Sequence, residues 1–273
     1  MAIIAIAREL ASLGEEIANE LASATGYKLV DREYVEKRLG DYGLGPEKRQ
    51  KYDEKKPGLW ASLSQERDDF LHYLKTVIYE EAAAGGCIIM GRGSGAILRG
   101  VPNLASVRII APTGLRAERI RKLHGCDERR ALQILDQSDH DRSGFHKYFF
   151  AADWNDPREY GLVVNTGELS LAESVRLIDQ YRAIVGTPER EEAGRRRIAE
   201  LLLGQRVVTE IVYGKKLPIH FLEAEGRGKR IVLHGVANTQ SAIDAAVQAA
   251  RGVRGVEEVE SAIQIVQEFT VMP

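Results

Sequence analysis

Two cysteines, Cys87 and Cys126, are all that the 273 residues contain, and they stand far apart with no metal-type spacing around either. A disulfide framework and a cysteine-based metal cluster are therefore excluded, and both thiols read as reduced structural groups. Long apolar runs are missing as well. The opening "MAIIAIARE" meets charge at Arg8, too early for a signal peptide, and no later run approaches the roughly 18 residues that span a bilayer. The expectation is a cytoplasmic protein. Net charge is equally scarce, with 38 Lys and Arg against 40 Asp and Glu, a formal −2. No overall positive field advertises nucleic acid or an anionic membrane, so any anion site must be local. Low-complexity tracts and repeats of 20 to 50 residues are absent too.

What is present is alternation. The segments "AIIAIA", "CIIM", "VRIIA" and "LVVN" are short and rich in Ile, Val, Leu and Ala, as strands buried on both faces of a parallel sheet must be. Between them the periodicity predicts helices over 15–24, 65–84, 114–123, 127–136 and 170–184. That order predicts an α/β domain with a doubly wound parallel sheet over residues 1–185. At "GTPEREEAGRRR" Pro, Gly and charge replace apolar periodicity, so a linker is expected over 186–194. Residues 195–273 then read as a small α+β module. Its expected elements are a helix over 195–203, strands over 207–213 and 218–223, a turn at "EGRGKR", a strand "RIVLHGV" and a helix over 239–251.

The chemistry begins after the first strand, in "RELASLGEEIANELASATG". Strand, short turn and helix is the layout of a phosphate-binding loop, in which glycines curl backbone N–H groups round an anion, a lysine neutralises phosphate and a hydroxyl holds magnesium. With Gly14 as the second glycine of that pattern, the first falls on Glu9, the lysine on Glu15 and the hydroxyl on Glu16. The local alternative is an ordinary helix start, with Ser12 as N-cap and two glutamates complementing the helix dipole.

Three stretches resemble the cytidylate kinase-like family. In the first, "ARELASLGEEIANELASATGYKLVDREYVE", the matching positions are Arg8, Glu9, Ser12, Gly14, Ile17, Ala18, Asp31, Arg32 and Glu33, while two of the family's loop glycines are absent. The second, "CIIMGRGSGAILRGVPNLASVRIIAPTGLRAERIRK", carries Arg92 after a strand and Arg116 and Arg119 on the next helix. The third, 135–178, is similar to the family's lid and carries Arg142 and Lys147. The resemblance covers about residues 1–180 and implies a P-loop nucleotide kinase fold. It implies phosphate contacts for Arg8, Ser12, Gly14, Arg92, Arg116 and Arg119, a monophosphate pocket at Asp31 and Arg32, and lid catalysis by Arg142 with Lys147. ATP with Mg2+ is the cofactor it implies, although the loop lysine and hydroxyl are missing and Met90 stands where the family carries an Asp. Guanidinium suits phosphate physically, through paired hydrogen bonds. Each arginine also has a structural alternative: Arg92 can cap a strand end, Arg116 and Arg119 can form a solvated helix face, and Arg142 can pair with Asp139.

Other groups carry less. His124, His140 and His146 lack regular ligand spacing, and no metal site is expected. Ser12 and Ser94 have no His–Asp neighbours, and Tyr148, Phe149, Phe150 and Trp154 read as core packing under the lid ahead of base stacking. The C-terminal "RIVLHGVANTQSAIDAAVQAARGVRGVEEVESAIQIV" resembles a BON domain through Gly235, Val236, Gly255, Val256 and Val259, which implies binding of a lipid surface or another ligand. Two functions follow. One is a protein with a degenerate loop that binds a nucleotide or other phosphorylated small molecule and reports through its BON domain. The other is an active CMP kinase in which an arginine replaces the loop lysine.

Overall fold

The computed structural model describes residues 1–46 and 65–266. Two compact units divide the chain, Met1–Gly194 and Arg195–Pro273. The first unit runs β1 (Ile3–Arg8), α1 (Gly14–Thr25), β2 (Lys28–Val30), α2 (Arg32–Asp41), α3 (Gln65–Ala84), β3 (Cys87–Met90), α4 (Ser94–Ile97), β4 (Leu104–Ile110), α5 (Thr113–His124), α6 (Glu128–Phe150), a 3-10 turn (Pro157–Glu159), β5 (Leu162–Asn165) and α7 (Leu171–Val185). Its five strands are all parallel, in the order β2-β3-β1-β4-β5.

Strand parity sorts the core. Ala2, Ile4, Ile6, Ile88, Met90, Val107 and Ile109 pack with Ile17 and Leu21 of α1 and with Val175 and Ile178 of α7. Ile3, Ala5, Cys87 and Ile89 have the other parity and are buried too, on the face where α3 meets β3 and α4 meets β1 and β4. Helices on both faces make the sheet doubly wound, which is why the strands read as continuous apolar runs. After β1 the chain crosses to one side of the sheet, then to the other. The carboxyl end of β1 is therefore the switch point at which ligands of such sheets bind.

Helix α6 is longer than its sequence suggests. The expected helix over 127–136 continues to Phe150, because Ala131, Leu135, Phe145 and Phe149 form one buried stripe. Asp127 caps it, accepting from the Arg130 N–H. The segment read as a lid is therefore helical up to residue 150.

The expected linker over 186–194 is helix from residue 188 onward. α8 runs Pro188–Val208, opened by a proline in its first turn and by Glu189 and Glu191, which favour a helix N-terminus. The strand expected over 207–213 is a further helical stretch, a wider π-type turn over Thr209–Gly214. β-Branched composition suggested a strand there, but Val207 and Ile211, four apart, are both fully buried in the second unit's core. The remainder is β6 (His220–Arg227), β7 (Arg230–Ala237), α9 (Gln240–Arg251) and β8 (Glu258–Ile265). β6 and β7 are antiparallel, β7 and β8 parallel. The Ala-rich α9 lays Ala242, Ile243, Ala246 and Ala250 into the core beside Ile231, Leu233 and Ile263. Two glycines permit α8 to lie on β6: a Cβ on Gly204 would stand 2.2 Å from the Ala224 carbonyl oxygen, and one on Gly226 2.4 Å from that of Glu200.

Candidate functional site

The loop between β1 and α1 is wound like an anion-binding turn, without the glycines that make such turns cheap. Ala11 and Leu13 both have left-handed backbones, φ 60° and 65°, a conformation that costs an L-residue about 1–2 kcal/mol. Four side chains hold it there by taking successive carbonyls. The Ser12 hydroxyl donates to Glu9 O at 2.9 Å and reaches Ile109 O at 3.2 Å. Arg116 Nε donates to Leu10 O at 2.8 Å, and Arg119 donates to Ala11 O at 2.9 Å. Thr166 Oγ1 donates to Ser12 O at 2.9 Å. Ser12 is thus a loop brace. The N-cap expected of it falls on Leu13, which offers no side-chain hydrogen bond. Beyond the Ser12 N–H, which bonds to Glu9 O at 3.4 Å, the next N–H that bonds back is that of Ile17, to Leu13 O, leaving the N–H groups of Gly14, Glu15 and Glu16 as the open end of the helix.

Arg8 lies across that end. Its stem covers Gly14, where an added Cβ would stand 2.6 Å from Arg8 Cβ. Its Nε donates to Glu15 Oε1 at 2.9 Å. The carboxylate in the lysine position of the loop pattern therefore pairs with the arginine that ends β1.

Behind the loop lies a charge network that only part of the motif reading anticipated. Arg116, 3% exposed, holds Asp139 of α6 through both guanidinium nitrogens at 2.9 and 2.8 Å, and Glu9 stands 3.2 Å away. The expectation that Arg116 and Arg119 form a solvated helix face is overturned, and it is Arg116, not Arg142, that takes Asp139. Glu9 also accepts from the Ala111 N–H at 3.1 Å and from Arg108 at 3.4 Å. Arg108 of β4 lies 4.1 Å from the Trp154 ring centre and donates to Asn155 Oδ1. Glu9, Arg108 and Asp139 were missed as a group. Glu9 sat inside the Arg-Glu pair, but Arg108 sits in an apolar strand with no local sign of a partner 46 residues away.

After β3, Gly91, Arg92 and Gly93 are left-handed in succession, φ 66°, 55° and 67°. Arg92 is 1% exposed and donates to Glu36 Oε1 at 2.9 Å. Arg32 donates to the same oxygen at 2.8 Å. Burial alone would raise the Glu36 carboxyl, but Arg32 and Arg92 outweigh it and hold it below the usual carboxylate range. Asp31 caps α2, accepting from the Tyr34 N–H at 2.8 Å. Lys147 is exposed near the end of α6.

These elements converge on one cleft. Arg8, Arg142, Gly91, His146, Phe145 and Trp154 line a space of about 230 Å3. Arg142 donates to Ser138 Oγ one turn back on its own helix. Ala7, Gly91 and His146 are shared with a neighbouring space of about 380 Å3, which extends past Ser94 and Ser106 to Tyr160. Burial pushes the Tyr160 phenol up to about 12, and its O–H donates to Trp154 O. The aromatic group reads as core: Phe145 and Phe149 rings stand 4.8 Å apart, Trp154 is 2% exposed, and Phe150 is seated on Gly93. Among the described residues no cluster of His, Cys, Asp or Glu has metal-site geometry, and no helix is long and apolar enough to cross a membrane.

Comparison with known proteins gives these observations a family. The model of the cytidylate kinase-like family matches residues 3–168, and that of the BON domain matches residues 202–267. No curated protein matches the chain. Among solved structures, an uncharacterised protein from Eubacterium ventriosum is similar at a TM-score of 0.54 and 22% identity, over 67% of this chain and 99% of that one. A shikimate kinase from Bacteroides thetaiotaomicron aligns at 0.41 and 14%, over 66% and 97%. A gluconokinase from Sinorhizobium meliloti aligns at 0.39 and 20%, over 67% and 93%. With its parallel sheet, its β1–α1 loop and a family match over more than half its length, the chain belongs to the cytidylate kinase-like family and carries a C-terminal BON domain.

Proposed function

We propose that the first unit is a phosphoryl-ligand-binding module whose loop no longer serves ATP-dependent transfer, and that the BON domain reports on its occupancy in the cytoplasm. The observation that carries this reading is the Arg8–Glu15 pair across the helix start. A magnesium triphosphate approaching there meets Glu15 and Glu16 where the pattern calls for a lysine and a hydroxyl, and like charges at close range cost of order 1–4 kcal/mol per pair. The residues present do not suit that cofactor. They suit a less charged anion, met by Arg8, Arg142 and the open N–H groups of α1. Arg92 and Arg32, joined through Glu36, form a second cationic pair at the carboxyl ends of β2 and β3. Arg116, Arg119 and Ser12 act on the loop backbone, holding the shape that a ligand meets.

The competing reading, an active CMP kinase, draws support from one observation: Arg8 and Arg142 line the same cleft, as a lid arginine and a lysine substitute would. Calorimetric titration of ATP, CMP and inorganic phosphate, with and without magnesium, together with a coupled transfer assay, separates the two. Binding of phosphate or monophosphate without turnover is expected. Turnover that Arg142→Ala abolishes would refute the binding-only reading. Glu15→Lys is expected to raise ATP affinity, because the braced loop keeps its shape.

A further inference from the structure

We infer that the ligand of this cleft is a small, hydroxyl-rich, non-aromatic phosphate ester rather than a nucleotide, an inference that rests on the phosphoryl-binding reading above. The cleft has two chemically different ends. Arg8 and Arg142 stand at one, while Ser94, Ser106, Asp153, Glu159 and Tyr160 line the other.

The polar end is made for hydroxyl groups. Ser106 Oγ is buried and has no hydrogen-bond partner among the described residues, an opening that a water or a ligand hydroxyl can complete. Gly95 keeps it clear: a Cβ there would stand 3.1 Å from this oxygen. Asp153 and Glu159 are anchored, the first by the Asn155 N–H at 2.9 Å and the second by Arg99. Each carboxylate retains acceptor capacity for a ligand O–H, because two oxygens offer about four lone-pair sites.

A nucleobase needs an open aromatic face, and the described lining does not provide one. Trp154 is 2% exposed with the Arg108 guanidinium over its ring, and Phe145 is fully buried against Phe149 and Phe150. Tyr160 faces Arg108 and spends its hydroxyl on Trp154 O. Charge disfavours a nucleoside polyphosphate in particular, since Arg8, Arg92 and Arg116 each already hold a carboxylate within 2.9 Å. A single phosphate adds less repulsion from those carboxylates than a polyphosphate does.

The test is calorimetry on the full chain with inorganic phosphate, glycerol 3-phosphate, ribose 5-phosphate and CMP. At least one of the two polyol phosphates is expected to bind about tenfold tighter than both inorganic phosphate and CMP. Ser106→Ala, a change that opens no large cavity, is expected to weaken that binding about three- to tenfold, the worth of one hydrogen bond, and to leave inorganic phosphate unaffected. CMP binding as tightly as the polyol phosphates would overturn the inference, as would unchanged affinity in Ser106→Ala, which would mean that the hydroxyl serves a bound water. In either case phosphate binding itself would stand. Failure of all four probes to bind would overturn the phosphoryl-binding reading, and this inference with it.

Discussion

Replacing Gly93 by alanine tests how α6 is seated over the cleft. Gly93 has φ 67°, and a Cβ there would stand 2.1 Å from Phe150 Cε2 and 2.5 Å from Cζ. The left-handed backbone costs an alanine about 1–2 kcal/mol, and forcing the ring aside adds about 1–3 kcal/mol of overpacking. The variant should therefore lose roughly 2–5 kcal/mol of stability. Only the second part belongs to the ring, so a cycle with Phe150→Ala should show a coupling of about 1–3 kcal/mol, the double variant being less destabilised than the sum of the singles. Both tryptophans of the chain, Trp60 and Trp154, precede residue 195, so urea unfolding followed by tryptophan fluorescence reports the first unit apart from the second. A loss below about 1 kcal/mol in Gly93→Ala, or strict additivity in the cycle, would refute the reasoning.

Three further outcomes are expected. Asp139→Ala removes the two-point bond to buried Arg116 and should cost about 2–3 kcal/mol in the same assay, below the usual 3–5 for breaking a buried pair, because Glu9 remains 3.2 Å from the guanidinium; Asp139→Asn should lose less. His72, buried on α3, is held down to about 4 by burial first and by Lys75 second. Its folded value lies below its unfolded one, so the stability it contributes is complete above about pH 6.5 and is lost as pH falls toward 4, by roughly 3 kcal/mol in all; pH-dependent unfolding of His72→Gln should lack that slope. In the second unit, Gly226→Ala places a methyl 2.4 Å from the Glu200 carbonyl oxygen and should unfold the BON domain at a lower temperature, leaving the tryptophan-reported transition unchanged.

The sheet was legible because its strands carry the pattern of burial on both faces. "CIIM" and "LVVN" are β3 and β5 to the residue, and α3 matches its expected 65–84. Legibility failed where burial is decided by distant partners. Residues 207–213 have the β-branched composition of a strand, yet Val207 and Ile211 are recruited at helical spacing into the core under β7. The second half of α6 reads as polar because Gln137, Asp141 and Arg142 outnumber its buried positions, and its anchoring rings, Phe145 and Phe149, pack on each other, and Phe149 packs on Phe70, far away in sequence. The shape of the β1–α1 loop was equally hidden. Without its glycines it keeps the turn through Ser12, Arg116, Arg119 and Thr166, and three of those four side chains come from more than 100 residues away in the chain.

From sequence alone came the family, the parallel α/β order, the BON domain and the departure of the loop at Glu9, Glu15 and Glu16, because motifs and periodicity are local properties. Tertiary structure decided which charges meet: Arg8 with Glu15, Arg92 with Glu36, Arg116 with Asp139, and Arg108 with Glu9 and Trp154. Motif matching had marked three of these arginines for phosphate and left Arg108 unmarked. Which anion a guanidinium holds depends on what the fold places within about 3 Å of it, and hydrogen bonding at that range carries no signature along the chain.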